Sequence, residues 1–98
     1  MDQRKLVRTY SAGVFFGELD ESTRSADGRR GLIRNARRIW YWAGAASLSE
    51  LAERGTSNPD ECKFPVAVAE IEVTDIIEVL SVTERAAAII DSVPVWTR

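Results

Sequence analysis

Residues 6–19 read LVRTYSAGVFFGEL. Valine, phenylalanine, tyrosine and threonine suit a pleated, half-buried surface, so this run reads as one long strand. Gly13 and Gly17 flank Val14-Phe15-Phe16. Glycines inside a strand mark a bend, a bulge or a close approach of another backbone or a ligand, and a bulge in a curved sheet is the preferred reading here.

Outward from that run, residues 20–31 (DESTRSADGRRG) are polar and carry Asp27-Gly28 and Gly31, as an exposed hairpin loop does. Leu32 to Ala43 returns as the second strand. Regular alternation would put Leu32, Arg34, Ala36, Arg38, Trp40 and Trp42 on one face and Ile33, Asn35, Arg37, Ile39 and Tyr41 on the other. Neither face is cleanly apolar, which points to a bulge near Asn35.

Ser47 and Glu50 have the spacing of a capping box, a short helix runs on through Arg54, and Gly55 fits its C′ position. Residues 56–63 (TSNPDECK) are turn-rich. Pro65 to Val73 alternates Ala67, Ala69, Ile71 and Val73 with Val68, Glu70 and Glu72, the pattern of a half-buried strand. Thr74-Asp75 breaks it, and Ile76 to Val82 forms a fourth strand. Thr83 caps a last helix with Glu84 in its first turn. Ala86, Ile89, Ile90 and Val93 line one side of that helix. Pro94 stops it, and Val95-Trp96 continues as an extended tail. The order β-β-α-β-β-α predicts a small single α+β domain over residues 1–98, with an antiparallel sheet of about four strands, two short helices and residues 1–5 as an N-terminal tail.

A net charge of −2 argues against a general nucleic-acid coat, whose domains are usually basic. Cys62 is the one cysteine, so no disulfide forms within the chain, which fits a reducing cytosol. The start, MDQRKLVRTY, lacks the apolar stretch of a signal peptide. No apolar run reaches the ~20 residues a membrane helix needs. The absence of histidine removes the commonest general base, the commonest metal ligand and the simplest pH switch. Neither a glycine-rich phosphate loop nor any other catalytic, metal or cofactor motif is present.

Chemistry concentrates in residues 34–42. Arg34, Arg37, Arg38, Trp40, Tyr41 and Trp42 crowd three guanidinium groups and three large aromatics together in a chain that is only 8% aromatic. Three roles are open to them. Arginines bind phosphate bidentately while an indole stacks on a base, which would make a pocket for a small phosphorylated ligand. Trp, Tyr and Arg also dominate protein-interface hot spots. Finally, the tryptophans can fill a core while the arginines extend outward from it. Regular alternation makes Arg34, Arg38, Trp40 and Trp42 the more credible single set.

Glu70, Glu72, Asp75 and Glu78 lie close in sequence, and paired carboxylates can do acid–base work or hold a divalent cation. Alternation alone accounts for them as the solvated face of a strand, and arginines on a neighbouring strand offer them partners. Cys62 sits in an acidic turn, where carboxylates raise a thiol pKa and leave it a poor nucleophile. Lys63 beside it is an isolated charge.

Several stretches together resemble a small family of uncharacterised proteins carried by bacteriophages and prophages: Arg8-Thr9-Tyr10-Ser11-Ala12-Gly13-Val14, Asn35 through Trp42, Gly44-Ala45-Ala46-Ser47-Leu48, Glu70-Ile71, Thr74, Ile77-Glu78-Val79 and Thr83-Glu84. The resemblance covers about Arg8 to Trp96. Phe15 stands where those proteins often carry histidine, and the loop from Asp20 to Gly31 is longer than theirs, so no role of that histidine carries over. The resemblance implies a phage-encoded accessory protein of the host cytoplasm and assigns no active residues. The expected function is that of a non-enzymatic binding protein, a homo-oligomer, that counters host defence by docking on a host protein or sequestering a nucleotide signal. The alternative is a virion or assembly protein that uses the aromatic strand as a subunit contact.

Overall fold

A computed structural model describes residues 4–97. The chain forms β1 (Arg4–Thr9), β2 (Val14–Asp20), β3 (Gly31–Arg38), α1 (Leu48–Arg54), β4 (Val68–Val73), β5 (Ile76–Ser81) and α2 (Glu84–Ser92). The α+β class is as expected, but there are five strands and the order is β-β-β-α-β-β-α. The run 6–19 is two strands rather than one. Tyr10 to Gly13 turns the chain back, so that Leu6 faces Phe16 and Val7 faces Phe15. Gly13, at φ 99, supplies the left-handed residue the turn needs, and Thr9 closes it with bonds from its backbone N–H (3.0 Å) and hydroxyl (2.7 Å) to the Gly13 carbonyl. The composition of the segment shows strand propensity but not this reversal. Of the expected N-terminal tail, Arg4 and Lys5 belong to β1, and residues 1–3 lie outside the described residues.

All pairings in the sheet are antiparallel, in the order β4-β3-β2-β1-β5. β4 and β5 thus sit at opposite edges, although only Thr74 and Asp75 separate them. A flat sheet of five strands would hold its edges ~19 Å apart. The three peptide steps from Val73 to Ile76 span at most ~11 Å. The sheet must therefore curl until its two edges meet at that corner. The curl encloses an inner cluster of Val7, Phe15, Leu19, Ile33, Ala36, Val73 and Ile76, to which both edge strands contribute.

The outer face carries the helices. Leu6 and Phe16 pack with Ile39, Leu51, Phe64, Ala87, Ile90 and Val93. Ser47 caps α1 as its spacing predicts, accepting from Glu50 N at 3.2 Å, while the Glu50 carboxylate accepts from Ala46 N at 2.7 Å. Thr83 caps α2 through Ala86 N at 3.0 Å. The Ala86–Ile90–Val93 stripe is buried, and Val93 ends the helix before Pro94.

β3 carries an irregularity that changes its own face assignment. Glu18 faces Arg34, whereas Phe16 faces Arg37 and Phe15 faces Arg38, so Asn35 and Ala36 together oppose Gly17. Asn35 takes φ 49, the only non-glycine with positive φ among the described residues. A Cβ at Gly17 would lie 2.7 Å from the Arg34 carbonyl oxygen and 2.8 Å from Ile33 Cγ2, so only glycine lets the bulge press this closely. The extra residue shifts the alternation. Arg34 and Arg37 share the outer face and Arg38 turns inward, which overturns the grouping of Arg34 with Arg38.

Candidate functional site

β3 ends at Arg38, and the chain from Ile39 to Trp42 runs on as an irregular ribbon. Tyr41 bridges to Lys63 through backbone bonds of 2.8 and 3.3 Å, and Phe64 bridges to Val95, with Trp96 N donating to the Phe64 carbonyl at 3.0 Å. The segment at Lys63-Phe64 is thereby flanked by the ribbon on one side and the C-terminal tail on the other. This brings Trp96 against Trp40. Their rings stack with centroids 5.0 Å apart and planes 12° from parallel.

Lys63 completes the cluster. Its ammonium stands 5.5 Å from the Trp40 ring centroid, 5.6 Å from Trp96 and 5.7 Å from Tyr41, within cation–π reach of all three. It makes no salt bridge among the described residues. Trp40 stays 59% exposed and Tyr41 49%, Trp96 is half-buried, and exposed Val95 precedes Trp96 in the tail. A contiguous exposed aromatic patch around one cation is uncommon on a small domain, whose large apolar side chains otherwise pack inside.

The other candidates from residues 34–42 are engaged within the fold. Trp42 is half-buried and packs against the outer core. Arg34 bonds Asp20 at 3.1 Å and pairs with Glu70 across β4. The hydrogen bond that Arg34 donates to Asp20, and then the charge of Glu70, hold the guanidinium still more firmly protonated. The hydroxyl of Ser22 first, and then Arg34, hold the Asp20 carboxyl below its ordinary value. Arg38 donates to the Ala12 carbonyl at the β1–β2 turn and lies 4.5 Å over the Phe15 ring.

Arg37 reaches between β3 and the end of α2. Its Nε donates to the Pro65 carbonyl at 3.2 Å, Nη1 to Ile90 at 3.2 Å, and Nη2 to Phe64 at 3.2 Å and Val93 at 2.7 Å. The group lies 5.4 Å over the Phe64 ring. Burial disfavours its charge, and the nearby Asp91 partly restores it. Four carbonyls, two of them at the end of α2, take nearly all its donors.

The carboxylates of β4, of β5 and of the corner between them are also paired. Glu72 lies 3.8 Å from Arg30, Glu78 bonds Arg8 at 2.8 Å, and Asp75 accepts from the Ser11 backbone (3.0 Å) and hydroxyl (2.7 Å). Cys62 is buried, with Ala43 N donating to its sulfur at 3.4 Å.

The structure thus brings Trp40 and Tyr41 together at the surface and separates them from Arg34, Arg37, Arg38 and Trp42. It adds Trp96 and Lys63, which no local pattern marks. A tail after Pro94 and a single lysine in a turn become a site only through the pairing of Phe64 with Val95.

The chain belongs to the family described as a domain of unknown function, DUF6948, whose model matches residues 2–90. Trp40, Tyr41 and Lys63 lie within the match and Trp96 beyond it. No curated protein and no solved structure matches the chain.

Proposed function

We propose that this DUF6948 chain is a non-enzymatic binding protein that docks on a protein partner through the Trp40–Trp96 patch. The observation that carries this reading is the stacked pair of indoles, exposed Trp40 on half-buried Trp96, beside a lysine that makes no salt bridge among the described residues. Tryptophan and tyrosine supply large contact area at small entropic cost, and they dominate interface hot spots. A nucleotide-sequestering pocket built on this strand would need free guanidinium donors for phosphate. Arg34, Arg37 and Arg38 direct theirs to carboxylates and carbonyls inside the fold, which favours protein docking. Lys63 favours a partner that brings a carboxylate to the patch.

The resemblance to phage-borne proteins supports a host protein as that partner, and an anti-defence role in the host cytoplasm during infection. A second reading, a virion or assembly protein, draws on the same patch together with exposed Val66 and Val68 leading into the edge strand β4, a surface suited to contact between copies.

The decisive experiment pairs Trp40→Ser with Lys63→Glu in one variant. Trp40 is exposed, Lys63 is half-buried and neither belongs to the core clusters, so circular dichroism and thermal midpoint stay near wild type. Loss of partner capture, and of phage plating on a host where the wild-type chain restores it, is expected. Undiminished capture and plating by the folded variant refute the docking site. Mass spectrometry of purified particles separates the second reading, which requires the chain to be present in them. Sedimentation at micromolar concentration reports whether the copies associate.

A further inference from the structure

The segment at Lys63-Phe64 lies between two extended neighbours. Tyr41 pairs with Lys63 on one side, and Val95 pairs in parallel with Phe64 on the other. Extended peptides bind folded domains in this manner. Main-chain bonds to a strand give affinity, and a place for one side chain gives selectivity. Here Trp96 N donates to the Phe64 carbonyl at 3.0 Å, and the Trp96 indole lies on Trp40 beside the Lys63 ammonium. The tail therefore sits as a bound peptide would, with a backbone anchor and an aromatic anchor.

The seat and its occupant differ in how firmly they are held. Tyr41 and Lys63 exchange two backbone bonds, and Phe64 is fully buried. Just before the tail, Val93 is buried and its carbonyl takes the 2.7 Å bond from Arg37. Beyond Pro94 the hold is slighter. Val95 is 54% exposed, Trp96 belongs to neither core cluster, and the pairing is parallel, the less stable kind of ladder. The family match covers the seat and stops short of the occupant. Trp40, Tyr41, Lys63 and Phe64 fall within residues 2–90, and Val95 and Trp96 lie beyond them.

We propose that the tail is a built-in competitor for the docking site. An extended partner segment with an apolar residue followed by tryptophan, the chemistry of Val95-Trp96, displaces it and takes the same place beside Phe64 and on Trp40. This rests on the docking role proposed above for the patch and refines it: Trp40, Tyr41 and Lys63 are the fixed receptor, and Trp96 is the part that leaves. An indole entering the vacated place restores the stack and the cation–π contact, and the segment's own amide restores the bond to the Phe64 carbonyl. A segment on a short link competes at an effective concentration on the order of millimolar, so the tail holds back weak partners and yields to stronger ones.

A synthetic peptide of residues 93–97, VPVWT, capped at both ends, stands in for the partner segment. It is titrated into full-length, isotope-labelled Trp96→Ala protein and followed by NMR at the Trp40 indole and the Lys63 and Phe64 amides. That substitution empties the aromatic seat and leaves both core clusters intact. Saturable shifts at these positions, with a Kd of about 1 mM or tighter, are expected. The wild-type chain should bind the peptide at least ~10-fold more weakly, because its own tail leaves under about a tenth of the seats open. A peptide with alanine in place of its tryptophan, and the Trp40→Ala/Trp96→Ala double variant, should each show no saturable binding. The proposal is overturned if the folded Trp96→Ala chain shows no saturable shift, if the wild-type chain binds as tightly, or if either control binds like the original pair. Any of these results leaves the docking site standing when the Trp40→Ser/Lys63→Glu variant still loses partner capture. Undiminished capture by that variant refutes the docking reading whatever the peptide does.

Discussion

Replacing Arg37 with methionine keeps an unbranched stem over Phe64 and removes the guanidinium, so the carbonyls of Phe64, Pro65, Ile90 and Val93 lose their shared donor. A hydrogen bond to a charged group contributes about 1.5–3 kcal/mol, and a buried acceptor left unsatisfied costs about 1–3 kcal/mol. Four such bonds do not add. Three are long, at 3.2 Å, and they share one group that itself resists burial. Water can also reach carbonyls that sit only part-buried. A net loss of about 3 kcal/mol follows, dominated by the 2.7 Å bond to Val93 and by the Ile90 carbonyl at the end of α2. For a domain of this size each kcal/mol lowers the melting temperature by about 4–8 °C, so the variant should melt roughly 12–24 °C lower. Arg37→Lys keeps the charge but cannot fork to carbonyls on both segments, and it should lose about half as much. Urea unfolding measures the change, with a shifted midpoint and an unchanged m-value. Hydrogen exchange locates it, with amides from Ile90 to Trp96 deprotected first. A loss under about 1 kcal/mol for Arg37→Met would show that apolar packing alone seats α2, and would refute the idea that the Arg37 hydrogen bonds hold its end.

Three further outcomes are expected. Asp20 is held ionised by Ser22 and Arg34, so its folded pKa lies below the ordinary 3.8. Its contribution is present above that value and is lost as pH falls toward the lowered one. Asp20→Asn should therefore flatten the acid limb of the urea midpoint below about pH 4 and change little at pH 7 beyond the lost Arg34 contact. Gly17→Ala puts a methyl 2.7 Å from the Arg34 carbonyl oxygen and should cost about 1–3 kcal/mol by urea unfolding; a neutral result would mean the bulge can relax. Asn35→Gly tolerates the positive φ and should stay within about 0.5 kcal/mol of wild type, whereas Asn35→Val should lose about 1–3 kcal/mol.

Local chemistry was legible from the residues alone. Ser47 with Glu50, Thr83 with Glu84, Gly55 and Pro94 mark both helices, because caps and stops depend on neighbours a few residues apart. Composition separates the strands from the polar loop at 20–31, and the conflict of faces along 32–43 points to the bulge near Asn35. The reversal at Gly13 stayed hidden because residues 6–19 carry strand propensity on both sides of it. Where Arg34, Arg37 and Arg38 spend their charge depended on one extra residue opposite Gly17 and on carbonyls contributed by Phe64, Pro65, Ile90 and Val93. The meeting of Trp40, Lys63 and Trp96 depended on Phe64 pairing with Val95. Side-chain propensity acts over one turn or one strand, and that much the sequence determines by itself. Which arginines are consumed and which aromatics meet at the surface is set by register and by the curl of the sheet, which exist only once distant segments have packed.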